Sequence, residues 1–454
     1  MGQGVNESEK YLKSLCDKTF LSLWSHANVY RQPGSELCDL LVVVGDDIVI
    51  FSDKHCAYGT SVDAGLNWKR WFKKAVLASA KQLWGAESWI KRDPNRVFID
   101  AQCIKKFPLP ILLNEKTKFH LVLVAHGSSR ACVDAMGGSG SHIIYTKLKS
   151  VEDHSEPFYI GDISGNKTFL HILDDFSLEL LLENLSTVTD FVAYLRKREV
   201  LMKETFITMA LGEEELLADY LTNLDDEDEH DFDYPAERHS KVIRLFDEGE
   251  WQNFQGNQRR VNQLRANESS KFWDALIEEF SLHAISETQH YVSSGGFLDA
   301  ERAIRFMAME SRFARRYLSN ALLDMFSKVP ENMRMLRVVQ PQKANSEIIY
   351  VFALFPYYNP MKDSSYNDYR TVRREFLENS IQVAKLRFDS AKYIIGIGME
   401  SGDDFTNKSK DLIALDCSNW KEEFRNEALR VQKEYGILTR PISFEFNDIE
   451  YPTR

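Results

Sequence analysis

Two apolar runs, residues 37–44 and 48–51, are separated only by Gly45-Asp46-Asp47. Runs of strand length joined by a glycine–aspartate turn predict a β-hairpin. Residues 1–30 read as one helix, with Leu12, Leu15, Cys16, Phe20 and Leu23 at helical spacing. Arg31-Gln32-Pro33-Gly34 is a turn signal. A long helix is expected over 66–90, carrying Trp68, Trp71, Ala75 and Leu83, and strands over 96–99 and 119–125. The first part of the chain therefore predicts a compact α/β unit made of a helix, a β-hairpin, a helix and strands.

The rest divides by composition. Residues 126–224 form an irregular β/α middle region, Gly/Ser-rich at first, with short strands near 142–147 and 171–173 and helix over 186–224. Residues 225–257 open with the acidic run from Asp225 to Asp233 and read as a mobile linker. Residues 258–454 predict a C-terminal helical and α/β domain. Its helices are expected at 258–285, 297–328, 366–388 and 418–434, and its strands at 335–339, 348–355, 393–398 and 411–415. At roughly 100–200 residues per domain, such a division suits a chain of 454 residues.

Composition excludes several classes. No run of about 18 apolar residues occurs, so no transmembrane helix and no membrane partner is expected. The N-terminus has no signal-peptide core. None of the six cysteines forms a CxxC pair, which argues against structural zinc and disulfides and for a cytoplasmic location. A formal net charge of −12 argues against general coating of nucleic acid. Local basic surface is still available: nine lysines and arginines lie between Arg70 and Lys106, interleaved with tryptophans. They read as a phosphate-tracking surface, or as the solvated side of an amphipathic helix whose tryptophans form a core face.

The hairpin also carries the chemistry. Asp39 begins its first strand, and Ser52-Asp53-Lys54 ends its second. Antiparallel pairing brings these together at one end of the sheet. Carboxylates there would hold a hard divalent cation through oxygen, which polarises a phosphate and acidifies a bound water. A lysine beside them would orient that water or stabilise the charged transition state.

These residues resemble the restriction-endonuclease-like PD-(D/E)XK nucleases, most closely their NERD (nuclease-related) branch. There a Glu on the first helix precedes an Asp on one strand and an acid-x-Lys on the next, and a Gln on the following helix completes the site. The matching positions are Glu9, Asp39, the 52–54 tripeptide with Lys54, and Gln82. The resemblance covers residues 1–125 as a nuclease domain. It implies a Mg²⁺- or Mn²⁺-dependent nuclease acting on DNA or RNA, in bacterial defence or nucleic-acid processing, with a protein partner or a second copy of the chain as further candidates. It also implies Glu9, Asp39 and Asp53 as metal ligands, Lys54 assisting the water and Gln82 positioning it. At about 100° per residue, Glu9 falls near Cys16 and Phe20, and Gln82 shares the stripe of Trp68 and Ala75.

One position departs from the pattern. The family's acid lies two residues before the lysine, where this chain has Ser52; Asp53 alternates to the other strand face. A bulge that turns Asp53 inward, Ser52 acting as a weaker ligand, Glu36 substituting, or loss of catalysis are the open alternatives. The last makes the domain a binding or assembly module. A separate candidate is a hydrolase built on His126 and the Gly/Ser loop, which requires an acid and a nucleophile beside that histidine. No P-loop and no Gly-x-Ser-x-Gly elbow occurs.

Overall fold

The computed structural model describes residues 7–330, 332–340, 347–357, 365–402, 408–443 and 448–453, with side chains from residue 13 onward. The chain is mixed α/β and divides into two units, residues 1–260 and 261–454.

The first unit opens with helix α1 (Glu7–Trp24), followed by β1 (Ser25–Gln32), β2 (Ser35–Val44) and β3 (Asp47–His55). Helices α2 (Ala64–Phe72) and α3 (Ala78–Arg92) run on through a π-helical turn at Lys73–Leu77. Then come β4 (Lys118–His126), α4 (Ser129–Met136), β5 (Ile143–Tyr145), β6 (Tyr159–Ile160) and β7 (Leu170–Leu173). The unit is completed by α5 (Ser177–Asn184), α6 (Val188–Lys203), β8 (Ile207–Ala210), α7 (Glu213–Thr222), β9 (Ile243–Phe246) and α8 (Glu250–Gly256). Helix α9 (Gln258–Asn267) crosses the division between the units.

The expected hairpin forms. Val44 pairs with Asp47 across Gly45-Asp46, and Gly45 takes the positive φ (+58°) that suits glycine in so tight a loop. The five-stranded sheet has the order β1-β2-β3-β4-β7. Its first three strands are antiparallel, whereas β3, β4 and β7 are mutually parallel. Both faces are covered, so β3, β4 and β7 read as nearly continuous apolar runs. On one face Phe51 packs with Phe20 of α1 and Phe191 of α6 at ring separations of 5.8 and 6.2 Å. On the other, α3 presents Ala80, Leu83 and Ala86, all buried. Each such aromatic withdrawn from water contributes about 1.5–3 kcal/mol.

Several sequence expectations need correction. The first helix stops at Trp24, and residues 25–30 join β1, because the open edge of β2 offers backbone partners from Val42 to Ser35. Residues 96–99 form no strand: Phe98 makes single bridges to Tyr30 and Lys106 before Asp100 turns the chain. The helix expected over 186–224 is interrupted by β8, which pairs with β5 and β9, and by Gly212 at φ +137°. The run 225–235 belongs to the first unit and makes contacts within it. Lys197 donates to Asp225 and Asp231, and Phe232 is buried against Tyr194 and Tyr220. The first sheet also continues past residue 125, since β7 completes the edge of β4. No helix among the described residues is long and apolar enough to cross a membrane.

The second unit contains α10 (Lys271–Ile285), α11 (Phe297–Ala308), α12 (Arg312–Lys328), β10 (Met335–Val339), β11 (Ile348–Phe355), α13 (Tyr366–Lys385), β12 (Tyr393–Glu400), β13 (Lys410–Asp416) and α14 (Glu422–Tyr435). Its sheet runs β10-β11-β12-β13, with β11 and β12 parallel. Gly396 and Gly398 let α13 lie close: a Cβ at Gly396 would sit 2.8 Å from Ile381. Glu310 is buried here and accepts a 2.7 Å hydrogen bond from the Tyr350 hydroxyl. Burial raises its carboxyl from 4.5 to about 7, against the opposing pull of Tyr350 and Arg315. A carboxyl raised on folding holds its proton more tightly in the folded state. Its contribution to stability is complete below about 4.5 and is lost as pH climbs through about 7. Glu310→Gln keeps an acceptor for Tyr350 and removes the titration. Thermal unfolding of the full chain across this range is expected to show a shallower pH dependence in the variant, and equal slopes would exclude Glu310 as the source.

Candidate metal and active site at the strand ends

The β2–β3 ladder ends at the Leu40–Phe51 pair, and there the Asp53 amide donates to Asp39 Oδ2 at 2.6 Å. One step past that pair, Asp39 lies opposite Ser52. The Ser52 hydroxyl is buried and donates to Gln82 Oε1 of α3 at 3.4 Å. Lys54 is exposed and, by strand alternation, shares the Ser52 face. Asp39, Ser52, Lys54 and Gln82 thus gather on the α3 side of the sheet. Strand β3 has no register shift against β2 or β4, so no bulge turns Asp53 inward. Glu36 is exposed opposite Tyr30 on β1. Glu9 lies in α1, and its side chain is outside the described residues.

Asp53 points to the other face, where its side chain is only 4% exposed. His55 follows two residues later on the same face. His126 pairs with His55 across the parallel ladder, and the two imidazoles stack 3.9 Å apart at 4°. Asp53 Oδ1 accepts from His126 Nε2, and Asp53 Oδ2 lies 3.7 Å from His55 Nε2. The donor atoms of Asp53, His55 and His126 lie within 4.8 Å of one another, close enough to hold one metal ion. Beyond them, Asp175 accepts from His126 Nδ1 at 2.7 Å, from the Ser129 hydroxyl at 2.7 Å and from the Gly127 amide at 3.1 Å. Parallel strands β3, β4 and β7 therefore deliver Asp53 and His55, His126, and Asp175 at their carboxyl ends, the usual place for a site in such a sheet.

Local structure fixes these side chains. The His126 carbonyl accepts from the Trp71 indole at 3.1 Å and the Cys56 amide at 3.4 Å. Gly127 follows at φ +96°, where a Cβ would lie 2.2 Å from the Cys56 carbonyl oxygen. After β7, Asp174 caps α5 by accepting from the Phe176 and Ser177 amides, which sets Asp175 beside it. His126 has carboxylates at both ring nitrogens, and carboxylates only accept, so both bonds require both N–H protons. Burial works against the charge, but the bonds to Asp175 and Asp53 outweigh it and raise His126 from 6.5 to about 9. Burial likewise opposes ionisation of Asp175, yet its bonds to His126, Ser129 and Gly127 hold it well below the usual carboxylate range.

The requirement set by the His126 hydrolase reading is met in part. Two acids adjoin the histidine, but the Ser128 hydroxyl contacts His142 Nε2 instead, at 2.8 Å, and is fully buried. Ser128, His142 and Asp174 tie the β4–α4 turn to the start of α5 inside the protein. Of the tryptophans interleaved with the cations of α2 and α3, Trp68 and Trp71 are buried and belong to the core, whereas Trp84 and Trp89 are half-buried beneath Lys167 and beneath Arg92 and Arg96. Lys69, Arg70, Lys73, Lys74 and Lys81 remain exposed along α2 and α3. The sequence reading missed His55 and Asp175. Strand alternation from Asp53 would have found the first, while the second emerges only from the β4–β7 pairing.

Compared with models of known protein families, with curated proteins and with solved structures, the chain finds no match in any of the three.

Two outcomes test this geometry. In NMR titrations the His126 ring is expected to stay protonated to about pH 9 and to fall toward the ordinary histidine range in Asp175→Asn. Since the folded value is raised, this ion pairing supports the fold fully below about 6.5 and is lost as pH rises through about 9. An unshifted histidine would contradict the double bridge. Gly127→Ala combines a left-handed φ with a backbone collision. It should cost at least about 1–3 kcal/mol in chemical denaturation of the full chain, whereas a neutral effect would refute the close approach to Cys56.

Proposed function

We propose that this chain is a divalent-metal-dependent nuclease, hydrolysing phosphodiester bonds of DNA or RNA at the ends of β2 and β3. The observation that carries this reading is the 2.6 Å hydrogen bond from the Asp53 amide to Asp39, which holds carboxylate-bearing residues of adjacent strands together beside Lys54. The element order supports it as well. Glu9 lies on α1, Asp39 on β2, residues 52–54 on β3 and Gln82 on α3, the sequence of elements in the nucleases this chain resembles.

On the α3 side, Asp39, Ser52 and Gln82 offer a carboxylate, a hydroxyl and an amide oxygen, a donor set that suits a hard cation such as Mg²⁺ or Mn²⁺. Such an ion, when bound, would polarise the scissile phosphate and lower the pKa of attacking water. Lys54 would stabilise the charge growing on the phosphate, and Gln82 would orient the water. The exposed cations of α2 and α3 would hold the flanking backbone, giving binding that weakens with salt.

A second reading has its own observation. Ser52 stands where the resembling family carries an acid, and Asp53 faces away, so among Asp39, Ser52, Lys54 and Gln82 the one carboxylate is that of Asp39. That favours a nuclease-fold module that binds nucleic acid or a protein partner without cutting.

Incubation of the full chain with single-stranded DNA, duplex DNA and RNA, with Mg²⁺ or Mn²⁺, separates the two. Cleavage that falls by about 100-fold or more in both Asp39→Ala and Lys54→Ala is the expected result. Binding without cleavage of any substrate would favour the module, and cleavage unchanged in both variants would remove the activity from this site.

A further inference from the structure

The strand ends carry a second donor set, on the face away from Ser52 and Gln82, whose chemistry differs from that of an oxygen-lined magnesium site. We propose that Asp53, His55 and His126 bind a first-row transition-metal dication, such as Zn²⁺, Mn²⁺ or Co²⁺, with Asp175 as the residue that orients His126. This goes beyond the nuclease reading and does not depend on it.

Four observations carry it. The donor atoms already converge within 4.8 Å from two adjacent strands. Around a zinc-sized ion, ligand atoms at about 2.0–2.1 Å lie roughly 3.3 Å apart. The present spacing therefore needs only a small opening of the Asp53–His126 contact and a modest turn of His55, whose side chain is 56% exposed. Two imidazoles and one carboxylate form a set that prefers borderline transition metals over Mg²⁺ or Ca²⁺. Three protein ligands also leave coordination positions for water or substrate.

The strongest observation is the environment of His126. A metal-ligating histidine generally gives its other ring nitrogen to a carboxylate, which fixes the tautomer and the ring plane. His126 Nδ1 does so to Asp175, and Asp175 is anchored in turn by the Ser129 hydroxyl and the Gly127 amide. Nε2 is thereby aimed at Asp53 and the His55 ring. As the ion enters, the proton that Nε2 shares with Asp53 leaves to solvent, and the freed lone pair and carboxylate oxygen become ligands. The Asp53 side chain is almost wholly sheltered and His126 is partly so, while His55 opens to solvent and gives the ion a path of entry.

Titration of the untagged full chain with Co²⁺, followed by visible d–d absorption, tests this without nucleic acid. One equivalent is expected to bind, to be displaced by Zn²⁺ and to resist excess Mg²⁺. His55→Ala, at an exposed position that spares the fold, should weaken Co²⁺ by about tenfold or more, as should His126→Ala if it folds. Asp175→Asn should weaken it by about 10- to 100-fold. Lys116→Ala, at an exposed turn that belongs to neither donor set, should leave the affinity unchanged. No stoichiometric Co²⁺ band, or a band of equal affinity in His55→Ala and Asp175→Asn, would overturn the proposal. Its failure leaves Mg²⁺-dependent cleavage to stand or fall by the substrate assays, while a bound ion without cleavage would count against the nuclease alone.

Discussion

The strand ends depend on the parallel ladder between β3 and β4, which runs unbroken from Asp47–Lys118 to His55–His126. Side chains alternate along each strand, so this register decides which residues share a face and which become neighbours. A shift of one residue would send Asp53 and His55 to the α3 side and separate His126 from both. The register is held by burial: Ile48, Val49, Ile50 and Phe51 of β3 pair with Phe119, His120, Leu121 and Val122 of β4, and all of these but the half-buried Phe119 are almost fully removed from water. A slip would place the same apolar groups against the wrong covering helices, at several kcal/mol in lost burial.

That register produces two chemically different faces at one sheet edge. Toward α3 the donors are oxygens: the carboxylate of Asp39, the hydroxyl of Ser52 and the amide of Gln82. Toward α1 and α6 they are a carboxylate and two imidazoles, backed by a second carboxylate. The Asp39–Asp53 hydrogen bond links the two faces through the backbone of β3. With no ion bound, a protonated His126 between Asp53 and Asp175 balances the buried negative charge. An entering dication would replace one proton by two charges and leave the carboxylates better compensated.

The second unit meets buried charge in a related way. Arg373 is fully buried beneath β13 and donates to Asp411 at 2.6 Å and to the Ser409 carbonyl at 2.8 Å. Arg316 is equally buried and reaches Asp448 and the carbonyl of Ile449. Each guanidinium has several acceptors in place, which a buried cation requires if its desolvation is to be offset. These pairs fasten the C-terminal strand and tail to the helices, a role that packing of apolar residues alone could not give to such polar segments.

The hairpin was legible in the sequence because its signals are local: two apolar runs, a glycine-containing turn and an aspartate at the start of one run. The long helix through Trp68, the strand at 119–125 and all four strands and most helices of the second unit were legible for the same reason. The exclusion of Asp53 from the Lys54 face also followed from alternation alone. What the sequence could not decide was pairing across distance. Residues 25–30 became a strand because β2 had an open edge, and 207–210 because β5 and β9 flank it. His126 met Asp53 because β4 lies parallel to β3, and Asp175 joined them because β7 lies parallel to β4, about fifty residues further along the chain. Local propensity reports on neighbours in sequence, whereas a donor set drawn from three strands exists only once the sheet has chosen its order.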